Sequence, residues 1–344
     1  MSLTNIFLDG VLVDVDVSFW SGSKVLQPED LGLKKEEVTD AFHLGKKMLV
    51  PQEVIRAFRS IESKARREVE SSSFRFPFGN ARFVPKKRFP KVLKTLQELE
   101  AQYNKLADDL IENYSKYRQE MLPVYQKAAE EAYMRQTPET MQFGPDYDRD
   151  KEKETYILNF LERINGFYPV AESLRDKFSL SWNVYEIAIP RMKEADANRV
   201  ALKEEQKQIA AEDYKAQIHG KISDFVDEVA KALRQETAEL CNHIVTNMSN
   251  GMVVKGKTVN SLKSFIERFR DLNFVGDLEV EQQLDEIQKE YLDKFSNEQI
   301  KDDMEIQATL KRKLGTLAAS AGKVTDVNSV TGEYKRKISW QNGG

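Results

Sequence analysis

After Pro190 the chain runs to Asn250 without another proline, and alanine, lysine, glutamate and glutamine dominate the first half of that stretch. Pro190 suits the first turn of a helix, where a missing N–H costs nothing. A helix over this stretch, at about 1.5 Å rise per residue, is on the order of 90 Å long. A compact globule of 344 residues has a radius of gyration near 20 Å and a diameter of roughly 50 Å. A rod of that length does not fit inside such a body. Its second half carries an apolar stripe of Ile218, Ile222, Phe225, Val229, Leu233, Leu240, Ile244 and Met248. Only that half is expected to face a core. A charged fraction of 31% and a mean hydropathy of −0.57 agree with extended, well-solvated helices more readily than with a sphere.

Other segments carry equally local signals. Val11, Val13, Val15, Val17 and Phe19 alternate with Asp14, Asp16 and Ser18, the period of a half-buried strand. From Pro51 to about Val69, the residues Val54, Ile55, Phe58, Ile61, Ala65 and Val69 recur at helical spacing. Phe74, Phe76, Phe78 and Phe83 surround a Gly79-Asn80 turn signal, which predicts a short hairpin or an ordered loop packed on the core. Pro90 to about Arg135 reads as one long helix with a coiled-coil-like seam from Leu96 to Ala132, kinked at Pro123. Thr137 to Asp150 reads as a loop. A shorter helix follows around Tyr156 to Phe167, then a strand between Leu180 and Ile189. Beyond the Gly251 turn come helices on Leu262 to Leu272 and Leu284 to Phe295, a last helix ending near Ala321, and from Gly322 a polar tail expected to fray unless Val327 to Tyr334 and Ile338 to Trp340 find a pairing partner.

The fold class expected is mainly α: an elongated bundle of long coiled-coil-like helices with a small β element made of the N-terminal strand, the Phe-rich hairpin and the strand near 180–189. Along the chain this gives an α+β part over 1–89, a long-helix body over 90–250, a C-terminal helical segment over 251–321 and a tail over 322–344.

Several chemistries are excluded by the residues available. Cys241 is the single cysteine, so no internal disulfide forms. The amino terminus lacks the basic and apolar blocks of a signal peptide, and a cytoplasmic location is the expectation. No apolar run approaches the roughly 18 residues that a bilayer span requires, so no membrane partner is expected. Cys241 and His243 are two residues apart on one helix and point to different sides, and no metal site or cofactor is expected. Gly251, Gly256, Lys257 and Thr258 spell the phosphate-binding loop pattern. That chemistry needs a strand leading into the loop and small residues within it, whereas a helix leads in here and Met252, Val253 and Val254 fill it. The stretch reads better as an inter-helix turn. No acidic pair sits in an apolar setting that would raise a pKa, and the chain is expected not to be an enzyme.

Charge is strongly polarised. From Arg56 to Lys94 there are twelve cations against three carboxylates, a net +9 that leaves −13 elsewhere. The candidate binding residues are Arg66, Arg67, Arg75, Arg82, Lys86, Lys87, Arg88 and Lys91. Cations mixed with Phe74, Phe76, Phe78, Phe83 and Phe89 are what a single-stranded DNA or RNA surface uses, neutralising phosphates beside stacked bases. Against this, alternating aromatics usually face inward, and the cations then pair with acidic helices of this chain or of a partner protein.

The Arg59 to Arg67 helix, the run FRFPFGNARFVP from Phe74 to Pro85, the Leu/Tyr helix that follows and the run FRDLNFVGD from Phe269 to Asp277 together resemble an uncharacterised family of bacterial, phage and mobile-element proteins known only as a domain of unknown function. Members of that family are often encoded near MoxR-type AAA+ ATPases and von Willebrand factor A-type proteins. The resemblance implies a scaffold or adaptor for protein assembly that acts with an AAA+ ATPase system and with other proteins, self-association included. It carries no catalytic signature.

Overall fold

The computed structural model describes residues 6–39, 41, 43–138, 141, 144, 147–185, 204–323 and 328–340. In order these form β1 (Gly10–Ser18), β2 (Ser23–Val25), β3 (Lys46–Met48), α1 (Gln52–Ser71), β4 (Phe74–Arg75), β5 (Arg82–Pro85), α2 (Phe89–Glu112), α3 (Tyr114–Gln136), α4 (Arg149–Asn165), β6 (Ser179–Tyr185), α5 (Glu204–Ser249), α6 (Gly256–Leu272), α7 (Leu278–Ile287), α8 (Asn297–Asp302), α9 (Met304–Gly322) and α10 (Asn328–Trp340). The protein is mainly helical, with a four-stranded sheet in the order β4-β5-β1-β6 and a two-stranded β2-β3 ladder. Two compact units are interleaved along the chain. One takes residues 1–14, 68–94 and 183–344, the other residues 15–67 and 95–182.

In the first unit, Gly10 to Val13 of β1 pair antiparallel with Pro85 to Arg82 of β5, and Phe74 and Arg75 of β4 pair with Phe83 and Arg82. The Phe-rich segment is therefore a hairpin. The α5 stripe is buried as its spacing predicts: Ile218, Ile222, Phe225, Val229 and Leu233 are all at most 5% exposed. The helix α9 packs along α5 through Leu310, Leu314, Leu317 and Ala321. Burying a side chain of this size contributes roughly 1.5–3 kcal/mol relative to exposure, so this helix pair is the principal stabilising element of the unit. After α7 a single π turn, Gln288–Leu292, leads to α8, which opens with a capping box in which Ser296 and Gln299 satisfy each other's backbone N–H.

In the second unit, α1 buries Ile55, Phe58, Ile61 and Ala65, and α2 buries Leu99, Tyr103, Ala107 and Leu110. The Phe58 ring lies 5.2 Å from that of Tyr103 and 4.9 Å from that of Phe178. The tyrosines of the predicted seam have a second use. Their hydroxyls donate to backbone carbonyls, Tyr114 to Pro169 at 2.8 Å and Tyr125 to Met48 at the end of β3 at 2.5 Å, and outside the seam Tyr168 donates to Leu49 at 2.7 Å. A tyrosine at such a position packs its ring in the core and anchors a backbone segment with its hydroxyl. Burial raises the hydroxyl pKa of Tyr103, Tyr114 and Tyr125. Asp30, 3% exposed, accepts from Lys47 Nζ at 2.5 Å and from Arg163 at 2.9 Å, so a buried cation and a partly exposed one neutralise one buried carboxylate.

Three expectations need correction or restriction. The helix expected from Pro90 to Arg135 is two helices, because it lapses at Asn113 (φ −93°, ψ 7°). The lapse is one residue wide: the Asn113 N–H still donates to the Asp109 carbonyl at 3.1 Å, with the Asn113 side chain donating to the same oxygen at 2.9 Å, and the Asn113 carbonyl accepts the Tyr117 N–H at 3.0 Å. Pro123 lies inside α3 and leaves one ladder bond unmade. The polar tail is not frayed over 328–340: in α10, Thr331 and Tyr334 are buried, Thr331 and Lys335 bond Asp227, and the Tyr334 hydroxyl donates to Asp9 at 2.6 Å. Polarity alone misreads this segment because its polar groups have partners far away in sequence. The strand expected over Leu180 to Ile189 is present as β6 to Tyr185, and residues 186–203, including the expected helix start at Pro190, lie outside the described residues.

Candidate interaction surface

The hairpin of the first unit divides its basic and aromatic residues between two faces. Phe76 is 1% and Phe83 0% exposed. Their rings lie 6.1 Å apart, and both meet Phe225 of α5, at 5.4 and 5.5 Å. Phe274 packs 5.1 Å from Phe83 and 6.1 Å from Phe74. Strand alternation drives this arrangement: residues two apart share a face, and the aromatic face is the one that buries area. These rings are the floor of the first core and do not form an open platform for bases.

The cations then fall into two groups. Three arginines converge on the end of α1. Arg82 donates to Ser73 Oγ at 2.8 Å, Arg88 to Ser72 Oγ at 3.0 Å and to Glu68 at 3.4 Å, and Arg268 of α6 to the Ser71 carbonyl at 3.3 Å. The last carbonyls of a helix have no intrahelical donor and carry its partial negative charge. The α1 terminus holds no basic residue of its own in its last turn, and guanidinium groups from elsewhere in the chain supply the missing donors and charge. Burial, together with the neighbouring positive Arg88, lowers the pKa of Arg268. Arg88 and Lys91 also meet Asp271, at 3.6 and 2.6 Å.

The second group is Arg75, Lys86 and Lys87. All three are exposed, and among the described residues none of them makes an ion pair. The fold holds them in place from beneath: Arg75 sits in β4 opposite Arg82, and the Lys86 N–H donates to the Asp9 carbonyl at 2.7 Å. Of the eight residues singled out from the sequence, the first unit thus brings together Arg75, Arg82, Lys86, Lys87, Arg88 and Lys91. Arg66 and Arg67 belong to the second unit, where Arg66 pairs with Glu62 at 3.1 Å on the same helix and Arg67 is exposed.

The remaining motifs resolve structurally. Cys241 is fully buried and its thiol is pushed up to about 12 by burial, which keeps it protonated and unreactive. Among the described residues no three potential ligands cluster to hold a metal. The Gly251 loop has α5 leading into it, and the N–H groups of Gly251, Met252, Val254 and Thr258 already donate to Met248, Asn247, Gln307 and Lys255. Sequence reading missed two buried charge clusters: Arg234 with Asp277 and Glu279 in the first unit, and Asp30 with Lys47 and Arg163 in the second. Asp277 closes the run FRDLNFVGD, whose Asn273 accepts the Asp277 N–H at 2.8 Å while Gly276 takes φ +78°. That run is a structural clasp.

The chain is accordingly a mainly helical protein of two interleaved units, with a cationic hairpin face laid over an aromatic core. It belongs to the protein family of unknown function DUF3150, whose model matches residues 8–307, and the resemblance noted in the sequence is borne out at that level. No curated protein and no solved structure matches it. Among the described residues no helix is long and apolar enough to cross a membrane.

Proposed function

We propose that this protein is a non-enzymatic helical scaffold or adaptor that binds other proteins, and that the exposed cations Arg75, Lys86 and Lys87 receive an acidic surface of a partner. The observation that carries this reading is the separation of the hairpin's two residue types. Phe76 and Phe83 lie in the core and Phe74 and Phe78 pack half-buried against it, while Arg82 and Arg88 bond the end of α1. What remains outward is a small set of charges, and no phenylalanine of the segment is fully exposed beside it, which favours a carboxylate-bearing protein surface over single-stranded DNA or RNA.

The finer parts of the proposal follow from the sequence and the family resemblance. The elongated, coiled-coil-like bundle, the AAA+ ATPase system as motor and the self-association of the chain all belong to it, as does action in a phage or mobile-element context in the cytoplasm. Small-angle scattering and light scattering test the first and third.

The binding face is tested by placing a photo-reactive residue at Lys87 in the native host. A discrete protein adduct that disappears with Arg75→Glu and Lys86→Glu supports the adaptor reading. Titration of the purified chain with a labelled single-stranded oligonucleotide at two salt concentrations is the counter-test. Tight binding that weakens steeply with salt, and that the same two substitutions abolish, replaces the reading with nucleic-acid binding.

A further inference from the structure

A second surface of the first unit lies where α5 turns into α6. Gly251 (φ +80°) reverses the chain there, and the next three residues divide sharply: Val254 is 3% exposed, Val253 44% and Met252 56%. The turn is pinned from below. Gln307 of α9 accepts the Val254 N–H at 3.2 Å, and its Nε2 donates to the carbonyls of Val254 at 3.3 Å and Ile300 at 2.6 Å. A side-chain amide thus grips both backbone polar groups of one residue, fixing a loop that presents two large apolar side chains to solvent. Together with Leu240, Ile244 and Met248 of α5, these two residues wall a cavity of about 650 Å³.

Three properties of this cavity specify its occupant. Leu240, Ile244 and Met248 are four residues apart on α5, Ile244 buried in the core of the first unit and Leu240 and Met248 half-buried against it, so a helix seated in the groove reaches the edge of that core and meets side chains at helical spacing. No strand edge lines the cavity, so an extended peptide finds no row of backbone donors and acceptors to pair with. The charged or titratable lining residues are His243, Lys255 and Lys257, with no carboxylate among them, which favours acidic side chains at the rim. Methionine walls adapt to the shape of an apolar knob, and a loop already fixed by Gln307 loses little freedom when bound.

We infer that this groove docks an amphipathic helix of a partner protein, one that inserts apolar side chains at four-residue spacing and carries Asp or Glu toward Lys255 and Lys257. The site is separate from Arg75, Lys86 and Lys87, and its substitutions leave those residues untouched, so either surface can fail in experiment without the other.

A displayed library of helical peptides, panned against the full chain, tests it. The enriched peptides are expected to share apolar residues four apart flanked by Asp or Glu. Their affinity, read by fluorescence anisotropy, is expected to fall about tenfold or more for Met252→Asp and roughly fivefold for Lys255→Glu with Lys257→Glu. Circular dichroism confirms that these surface variants keep the fold. The inference is overturned by a library that yields no binder, by enrichment of basic peptides, or by equal affinity for wild type and Met252→Asp. It is also overturned by a concentration-dependent dimer that Met252→Asp abolishes, since the occupant is then a second copy of this chain.

Discussion

Arg234 of α5 holds Asp277 with two nitrogens, at 2.5 and 2.9 Å, and the two side chains are 6% and 2% exposed. Burial works against the arginine's charge, but the hydrogen bonds to Asp277 and Glu279 more than offset it and its pKa is raised. Asp277 meanwhile accepts the Val280 N–H that opens α7, so the pair ties α5 to the start of α7. Removing one member leaves a buried charge without its partner, which costs about 3–5 kcal/mol. Arg234→Met is therefore expected to lower the unfolding free energy by that amount. Arg234→Met with Asp277→Leu is expected to recover a part of it, short of the capping bond. Urea unfolding followed by circular dichroism reads both, and a loss under about 1 kcal/mol for the single variant would contradict a tight buried pair.

Gly32 and Gly79 share a left-handed backbone, each at φ +72°, but differ in surroundings. A Cβ at Gly32 would stand 2.4 Å from the Ala132 carbonyl oxygen and 2.8 Å from its Cα, whereas at Gly79 it would meet open space. Gly79→Ala then measures the conformational cost alone, about 1–2 kcal/mol. Gly32→Ala adds a collision with α3 backbone that no rotamer change relieves, and about 3 kcal/mol or more in total is expected. Melting both variants by differential scanning calorimetry separates the two costs. Equal losses would mean that α3 yields freely at Ala132.

Buried hydroxyls and the buried thiol set the alkaline limit of the fold. Burial pushes Tyr168 up to about 12 and Cys241 up to about 12, against unfolded values of about 10 and about 8.5. Each raised group binds its proton more tightly in the native state, so its contribution is fully present below the unfolded pKa and is lost as pH rises toward the folded one. The urea midpoint is therefore expected to hold steady to about pH 8 and to fall from about pH 9 upward. Tyr168→Phe is expected to make the decline shallower above about pH 10. A midpoint that stays flat to about pH 12 would show that these groups ionise without unfolding.

What the sequence revealed depended on the range of the interaction behind each signal. The α5 stripe, the α1 face and the hairpin turn at Gly79-Asn80 arise from periodicity or from one backbone conformation, and all three stand in the structure. The interleaving of the two units was not readable, because a linear partition assumes that neighbours in sequence are neighbours in space. The role of the basic segment was half readable. Its charge was plain, but Arg82 and Arg88 bond an α1 terminus that only the tertiary fold brings near, together with Arg268 from a distant helix. The clasp at Asp277 was visible as the run FRDLNFVGD, yet its partner Arg234 lies 43 residues away and on a helix rich in other charges.

The Gly251 loop offers the sharpest test of a motif against its geometry. A phosphate cradle works through several backbone N–H groups that point into one concavity and have no other acceptor. Here four of them already have acceptors: Gly251 donates at 3.2 Å, Met252 at 3.0 Å, Val254 at 3.2 Å and Thr258 at 2.8 Å. Opening these bonds for a nucleotide would also release Val254 from its buried seat and detach the loop from Gln307. Titration calorimetry with magnesium ATP is therefore expected to show no saturable heat, in the wild type and in Lys257→Ala alike. A micromolar affinity that Lys257→Ala removes would show that the loop refolds around phosphate, and the helix-to-helix turn would then be only its resting form.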